Sequence, residues 1–194
     1  MPKIDLEKER KRLDREITFF HFKRAKQRAS RCLDLAIKTG DNFFFFYFLA
    51  QRYILREDFH SAIKYLDYCL RIRGKDGCAY NDKALCLAEL GKHKEALVCF
   101  DEGIRRDRDC ASLYHNKGWL LHSLEKFTQA LLYFKKALEI EPDRVESLFS
   151  LADTYTYLGE SMKAKEYFQK AIFQIRGKCA YIYKQILKRL KNIK

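Results

Sequence analysis

Histidines and cysteines are the residues of this chain whose side chains could bind a metal ion or act in catalysis. His115 and His122 fall on one face of a predicted helix, but seven residues of helix separate them by ~10.5 Å along its axis. That distance is too long for one ion unless a third element contributes. No H-E-x-x-H, G-x-S-x-G or phosphate-loop motif is present. We therefore expect no enzymatic activity, no cofactor and no metal site.

The 7 cysteines contain no C-x-x-C pair, and their odd number argues against a complete disulfide framework. We interpret them as structural thiols in a reducing compartment, where a small apolar side chain is needed. The alternative is an exposed, redox-sensitive thiol, for which Cys78 and Cys179 are the candidates.

Small and large residues recur along the chain at a fixed interval of 34 residues, as in Ala62, Ala96, Ala130 and Ala164. Four residues after each alanine stands a bulky side chain: Leu66, Phe100, Phe134 and Phe168. Small residues let helix backbones approach closely, and large ones fill the grooves beside them. The period predicts stacked helix pairs, each of which buries its apolar face against its neighbours.

These columns resemble the tetratricopeptide repeat (TPR) family, most completely in residues 111–144, ASLYHNKGWLLHSLEKFTQALLYFKKALEIEPDR. The resemblance implies an all-α fold, a right-handed α-α superhelix (TPR solenoid), with units at residues 43–76, 77–110, 111–144 and 145–178. Lys83 and Lys117 depart from the family, which commonly has leucine there. We expect their aliphatic stems to pack while their ammonium groups reach water.

The two ends of the chain are expected to cap this array. Residues 1–42 form a basic segment that we interpret as a degenerate helix pair, with Leu13, Ile17 and Phe20 in its first helix and Ala29, Leu33 and Ala36 in its second. Residues 179–194 are predicted to form a basic capping helix. Its apolar positions are Ala180, Tyr183, Ile186, Leu187 and Leu190.

The net charge of +13 is concentrated at the two ends. Residues 1–38 hold 12 Lys and Arg against 6 Asp and Glu, residues 163–194 hold 10 against 1, and residues 39–162 hold 17 against 19. We interpret the basic ends as solvated capping faces, and the alternative is docking to an acidic membrane or nucleic acid. The absence of interleaved aromatic residues disfavours nucleic acid.

The longest apolar run extends from Phe43 to Ala50, and it is far shorter than the ~20 residues that cross a bilayer. The first residues are charged throughout and do not resemble a signal peptide. We therefore expect a soluble cytoplasmic protein, or one that is peripheral on a membrane or a complex.

In the TPR family the first helix of each pair lines a concave groove, so the resemblance implies contact residues at fixed columns. Those residues are Tyr47, Phe48, Gln51, Asn81, Asp82, Leu85, His115, Asn116, Trp119, His122, Phe149, Asp153 and Tyr157. The lining is aromatic and weakly charged, which suits an extended or helical apolar segment anchored on Trp119. Because no lysine or arginine stands at the columns that clamp a carboxylate, we do not expect binding of a chaperone tail.

The sequence thus predicts a non-enzymatic scaffold or adaptor that binds a partner protein or peptide segment in its groove. Two alternatives stay open: self-association, with the N-terminal segment of one chain in the groove of another, and docking of the basic ends to an acidic membrane or nucleic-acid surface. It is also open whether Phe44, Tyr47 and Phe48 pack against residues 1–38, and whether Trp119 is covered by the protein itself.

Overall fold

The computed structural model describes residues 4–18, 21–175 and 180–193, and all regular secondary structure in these ranges is helical. The helices are α1 (Leu6–Thr18), α2 (Phe22–Thr39), α3 (Asn42–Ile54), α4 (Phe59–Ile72), α5 (Gly77–Glu89), α6 (His93–Arg106), α7 (Ala111–Ser123), α8 (Phe127–Ile140), α9 (Val145–Tyr157), α10 (Ser161–Ile175) and α11 (Ala180–Lys191). Within the described ranges, no helix has the length and apolar character that a membrane span requires.

The packing divides the chain into two compact units, residues 1–99 and residues 100–194. In the first unit, consecutive helices from α1 to α5 pack against one another. The same holds in the second unit from α7 to α11. Such local packing is typical of repeat proteins, whose units are stabilised by their neighbours rather than by one central core.

Aspartates fix the start of three helices in the first unit. Asp41, Asp58 and Asp76 precede α3, α4 and α5, and each carboxylate accepts a hydrogen bond from a backbone N–H three residues later, at 3.0, 3.0 and 2.8 Å. These N-caps satisfy backbone groups that a helix leaves unpaired at its first turn.

The turn between the two helices of a pair contains one residue in the left-handed conformation. It recurs every 34 residues, with φ of 62° at Glu57, 73° at Gly91, 59° at Glu125 and 75° at Gly159. Glycine adopts this conformation without a steric penalty, whereas glutamate adopts it at a cost. Two of the four turns therefore carry a small conformational cost.

The residues of the 34-residue columns lie at helix contacts in both units. The column alanines at 62, 96, 130 and 164 are 0% exposed, as are the bulky residues four positions later. At Gly118 of α7 the approach is close, because a Cβ atom there would lie 2.9 Å from the ring of Phe134. The small residues thus set the distance between helices.

The expectation that both lysine ammonium groups reach water is wrong for Lys117, which is 6% exposed. Its Nζ forms an ion pair with Asp101 and lies 4.3 Å from the ring centroid of Tyr133. Lys83, which is partly exposed, pairs with Asp67 at 2.6 Å. Each lysine follows its aspartate by 16 residues, so a carboxylate of the preceding helix replaces water as its partner.

The apolar side chains expected to face the array are mostly buried at the N-terminal end, where Ala29, Leu33 and Ala36 of α2 are at most 6% exposed, and are less buried in α11. In α1 and α2, Leu13 is fully buried and Ile17 is half-buried, whereas Phe20 lies outside the described residues. In α11, Ile186 is buried but Tyr183 and Leu187 are each 37% exposed.

Candidate protein-binding surfaces

In the first unit, α1 covers the aromatic residues of α3 that were predicted to line a groove. Leu6 and Leu13 of α1 lie in the same apolar cluster as these side chains. None of Phe44, Tyr47 and Phe48 is more than 5% exposed, and neither is Phe43 before them. The sequence left open whether the aromatic run of α3 is exposed or packs against the N-terminal segment. The structure shows that the N-terminal segment covers it.

Arg10 is the polar centre of this contact and is itself 7% exposed. Its Nη1 donates hydrogen bonds to both carboxylate oxygens of Asp76, at 3.0 and 2.8 Å, and Glu7 is a second anionic partner. The guanidinium carbon lies 5.2 Å from the ring centroid of Tyr47 and 5.9 Å from that of Phe44. Two carboxylates and two ring faces thus compensate the buried charge.

The polar groove residues of the first unit bind one another beneath α1. The Tyr47 hydroxyl and the Gln51 amide both donate to one oxygen of Asp82, at 2.8 and 2.6 Å, and Asn81 donates to the other at 3.1 Å. Burial raises the pKa of Asp82 to about 6. Burial, together with the nearby charge of Asp82, raises the pKa of Asp14 of α1 to about 7. Tyr47, Gln51 and Asn81 are at most 7% exposed, so a partner could not contact them without a rearrangement of this unit.

Two of the predicted contact residues in the second unit are buried. His115 is 8% exposed, and its Nδ1 lies 3.1 Å from Ser147 Oγ. Burial, with the positive charge of Arg144, lowers the pKa of His115 to about 3, so the ring is neutral at pH 7. Asp153 is also 8% exposed and pairs with Arg189 of α11 at 3.2 Å. Both side chains therefore make contacts within the second unit and are not available at its surface.

Three rings form a cluster where α7 and α9 end. The ring centroids of His122, Phe127 and Tyr157 lie 5.1 to 5.2 Å from one another. Phe127 opens α8, the second helix of its pair, so a search restricted to the columns of the first helices could not find it. The cluster fixes the orientation of the Tyr157 ring.

Trp119 and Tyr157 are the two predicted contact residues that are exposed, at 43% and 57%. Asn116, His122 and Phe149 beside them on α7 and α9 are half-buried, as are Asp82 and Leu85 in the first unit. Large rings held by a helix offer apolar contact area with little loss of side-chain freedom on binding. The alternative in which the protein itself covers Trp119 does not hold in the part of the chain that the structure describes.

Within the described ranges, no cluster of His, Cys, Asp or Glu side chains has the geometry of a metal site. The described cysteines are free thiols, and burial raises the pKa of Cys32 to about 11 and that of Cys69 to about 12. These two thiols stay protonated and unreactive at neutral pH. Cys78 is half-buried, and Cys179 lies outside the described residues.

Three family models, all described as tetratricopeptide repeat, match residues 79–110, 111–144 and 133–166. The chain is a tetratricopeptide repeat protein. Repeats of this family form protein-binding scaffolds, and the all-α fold predicted from the 34-residue columns is confirmed.

Solved structures of other TPR proteins resemble this one at low sequence identity, which shows the fold alone. The crystal structure of MamA has a TM-score of 0.61 and 18% identity over 84% of this chain and 93% of MamA. YrrB, described as a TPR protein with an unusual peptide-binding site, has a TM-score of 0.60 and 19% identity over 92% of this chain and 88% of its own.

A curated relative is the signal recognition particle subunit SRP72 of Dictyostelium discoideum. It is 27% identical over 135 residues, which cover 66% of this chain and 19% of that protein. The chain therefore spans about a fifth of the length of this relative.

Proposed function

We propose that this TPR protein is a non-enzymatic scaffold that binds an apolar segment of a partner protein on the exposed face of α7 and α9. The proposal depends on the exposure of Trp119 and Tyr157, at 43% and 57%, in columns that face the groove in this family. Other surface aromatics of the chain lie outside these columns. The TPR fold is the reason to propose protein binding, and the two exposed rings are the reason to propose that the partner binds on this face.

The chemistry of this face favours an uncharged ligand. Trp119 is exposed on this face, while the ionisable side chains of His115 and Asp153 are withdrawn into the interior. No lysine or arginine stands at the clamp columns, so a partner with a terminal carboxylate as its main anchor is disfavoured. An extended or helical segment with large apolar side chains fits best.

We place the protein in the cytoplasm as a component of a protein assembly. The SRP72 relative is by name a subunit of a particle, and a repeat scaffold without catalytic groups is suited to hold such an assembly together. Direct attachment to an acidic surface through the basic ends is the alternative, and salt dependence distinguishes the two.

The test is to select peptides from a random phage-displayed library on the full chain and to titrate the best one calorimetrically. Trp119→Ala should weaken binding at least tenfold, since central aromatic anchors contribute about 2 kcal/mol or more. Leu132→Ala is the matched control: Leu132 is 65% exposed on α8, the second helix of its pair, and its removal should leave affinity unchanged. Equal affinities for wild type and a folded Trp119→Ala chain would contradict the proposal.

A further inference from the structure

The glutamates of the N-terminal helix pair, α1 and α2, are used in ion pairs within the protein. Arg28 of α2 pairs with Glu9 and Glu16 of α1, at 3.0 and 2.8 Å, and so joins the two helices. Glu7 pairs with the buried Arg10. Because these glutamates already have cationic partners, they leave other lysines and arginines of the pair without a counter-charge.

Eight exposed cations of this helix pair make no ion pair among the described residues. They are Lys8, Lys11 and Arg15 on α1 and Lys23, Arg24, Lys26, Arg31 and Lys38 on α2. The exposed acidic side chains in the same segment are Asp5 and Asp34. A clear excess of positive charge is therefore presented to solvent.

Six of these cations form two rows that border the Arg28 ion pairs. The rows are Lys8, Lys11 and Arg15 of α1, at i, i+3, i+7, and Arg24, Arg31 and Lys38 of α2, repeated every seven residues or ~10.5 Å. Arg24 and Arg31 stand one turn before and after Arg28. Lys8 and Arg15 directly precede its two glutamate partners. The two rows thus make one surface, the outer basic surface.

The cations of this surface repel one another. Like charges three or four residues apart on a helix destabilise it. Lys11 stands in this relation to both Lys8 and Arg15, and Arg28 stands in it to both Arg24 and Arg31. A ligand that places anionic groups between these side chains relieves the repulsion, so charge complementarity identifies the occupant as a polyanion.

The exposed apolar side chains of α2 lie away from the outer basic surface. Phe22 and Ile37 are 49% and 59% exposed, but they stand about 180° and 120° around the helix from Arg31. Ile4, before α1, is 40% exposed near the other row. A helix attached to a bilayer inserts an apolar face between the lipids. One apolar side chain is too little for this, so an acidic membrane fits the surface poorly.

A nucleic-acid duplex fits it better than a single strand does. Proteins bind single strands by stacking aromatic side chains on the bases, and neither row contains an aromatic residue. A duplex hides the faces of its bases and presents its phosphates. Three of the six row residues are arginines, whose planar groups can bind two phosphate oxygens at once.

We propose that the outer basic surface of α1 and α2 binds the phosphate rows of a nucleic-acid duplex without reading its base sequence. This interaction is independent of the peptide-binding face on α7 and α9, and Trp119→Ala should leave it unchanged.

Fluorescence anisotropy tests this with labelled RNA and DNA duplexes of about 20 base pairs, titrated with the full chain over a series of salt concentrations. The triple variant Arg24→Gln, Arg31→Gln, Lys38→Gln should bind both duplexes at least tenfold more weakly. The slope of log affinity against log salt concentration should become shallower by about 2–3, since each phosphate contact contributes about 0.9.

The matched control removes the same charge from the other basic end. Its substitutions are Lys184→Gln, Lys188→Gln and Lys191→Gln, at exposed positions of α11, and it should keep the wild-type slope. A second triple variant on α1, with Lys8→Gln, Lys11→Gln and Arg15→Gln, should repeat the loss seen on α2. Glutamine is nearly as good a helix former as lysine and arginine, so these chains should fold.

Equal affinity for the two duplexes would support recognition of the phosphate rows alone, and a preference for RNA would support recognition of its A-form geometry as well. Four results would overturn the proposal: no duplex binding by wild type at about 50 mM salt, the same loss in the α11 variant, tighter binding of a single strand of the same sequence, or tighter binding of phosphatidylserine vesicles.

Discussion

Buried charged side chains in this protein differ in whether an opposite charge lies beside them. Lys117 has Asp101, and Arg10 has Asp76, so each is stabilised where a lone charge would be costly. Asp14 is half-buried and differs from them, because burial and the like charge of Asp82 outweigh the attraction of Arg10 and raise its pKa to about 7.

The Asp14→Asn substitution should make stability less sensitive to pH. The folded-state pKa of Asp14 is about 7, above its ordinary value of 3.8. Its contribution to stability is therefore fully present below about pH 4 and is lost as the pH rises through 7. An asparagine side chain carries no charge at any pH, so the variant should exceed wild type by about 1–2 kcal/mol at pH 8 and by much less at pH 5.

Urea unfolding at the two pH values measures this difference. Asp34→Asn is the control, since Asp34 is exposed on α2. This substitution should change the free energy of unfolding equally at both pH values. If Asp14→Asn and Asp34→Asn gave the same pH dependence, Asp14 would not be the group that titrates.

At the scale of elements, the turn within each helix pair has one geometry and two kinds of residue. Gly91 and Gly159 adopt the left-handed conformation freely, while Glu57 and Glu125 adopt it against their preference, at φ of 62° and 59°. The helices on either side hold the turn in this conformation, because they pack through the same columns in every helix pair. The cost at glutamate is thus compensated by helix packing.

Exchanging these residues should change stability in opposite directions. Glu125→Gly should raise the free energy of unfolding by about 0.5–1 kcal/mol, and Gly159→Glu should lower it by about 1 kcal/mol. Thermal unfolding followed by circular dichroism measures both. Glu166→Gly, at an exposed position inside α10, should destabilise by about 1 kcal/mol. A loss of stability in Glu125→Gly like that in Glu166→Gly would contradict the turn argument.

The helices could be predicted from the sequence because their contacts are local and repeat every 34 residues. Whether each site residue is exposed or buried could not be predicted from the sequence. Trp119 and His115 occupy neighbouring groove columns, yet one is exposed and the other is buried against Ser147, 32 residues away. The ion pair between α1 and the start of α5 was equally hidden, since it joins Arg10 to Asp76 across 66 residues and belongs to no repeat column.

At the scale of the whole molecule, the positive charge and the exposed aromatic face lie in different parts of the chain. The charge is carried by residues 1–38 and 163–194, whereas Trp119 lies in a segment with 17 basic and 19 acidic residues. Although Arg189 of α11 pairs with Asp153 of α9, an apolar peptide anchored on Trp119 should respond less to salt than a polyanion does.

Raising the salt concentration from about 50 to 200 mM should change the affinity for the selected peptide by less than about threefold, because few counterions are released. Heparin binding should fall steeply over the same range. Parallel titrations of both ligands measure this. A steep salt dependence for the peptide would mean that the basic ends take part in its binding.

The docking of α1 has a consequence for which partners the chain accepts. A segment tethered to its own site acts at an effective concentration in the millimolar range. A free helix at about micromolar concentration must then bind the uncovered surface roughly a thousandfold more tightly than α1 does. The tether thus sets a threshold: a basic helix that fits this surface no better than α1 does is excluded at micromolar concentration.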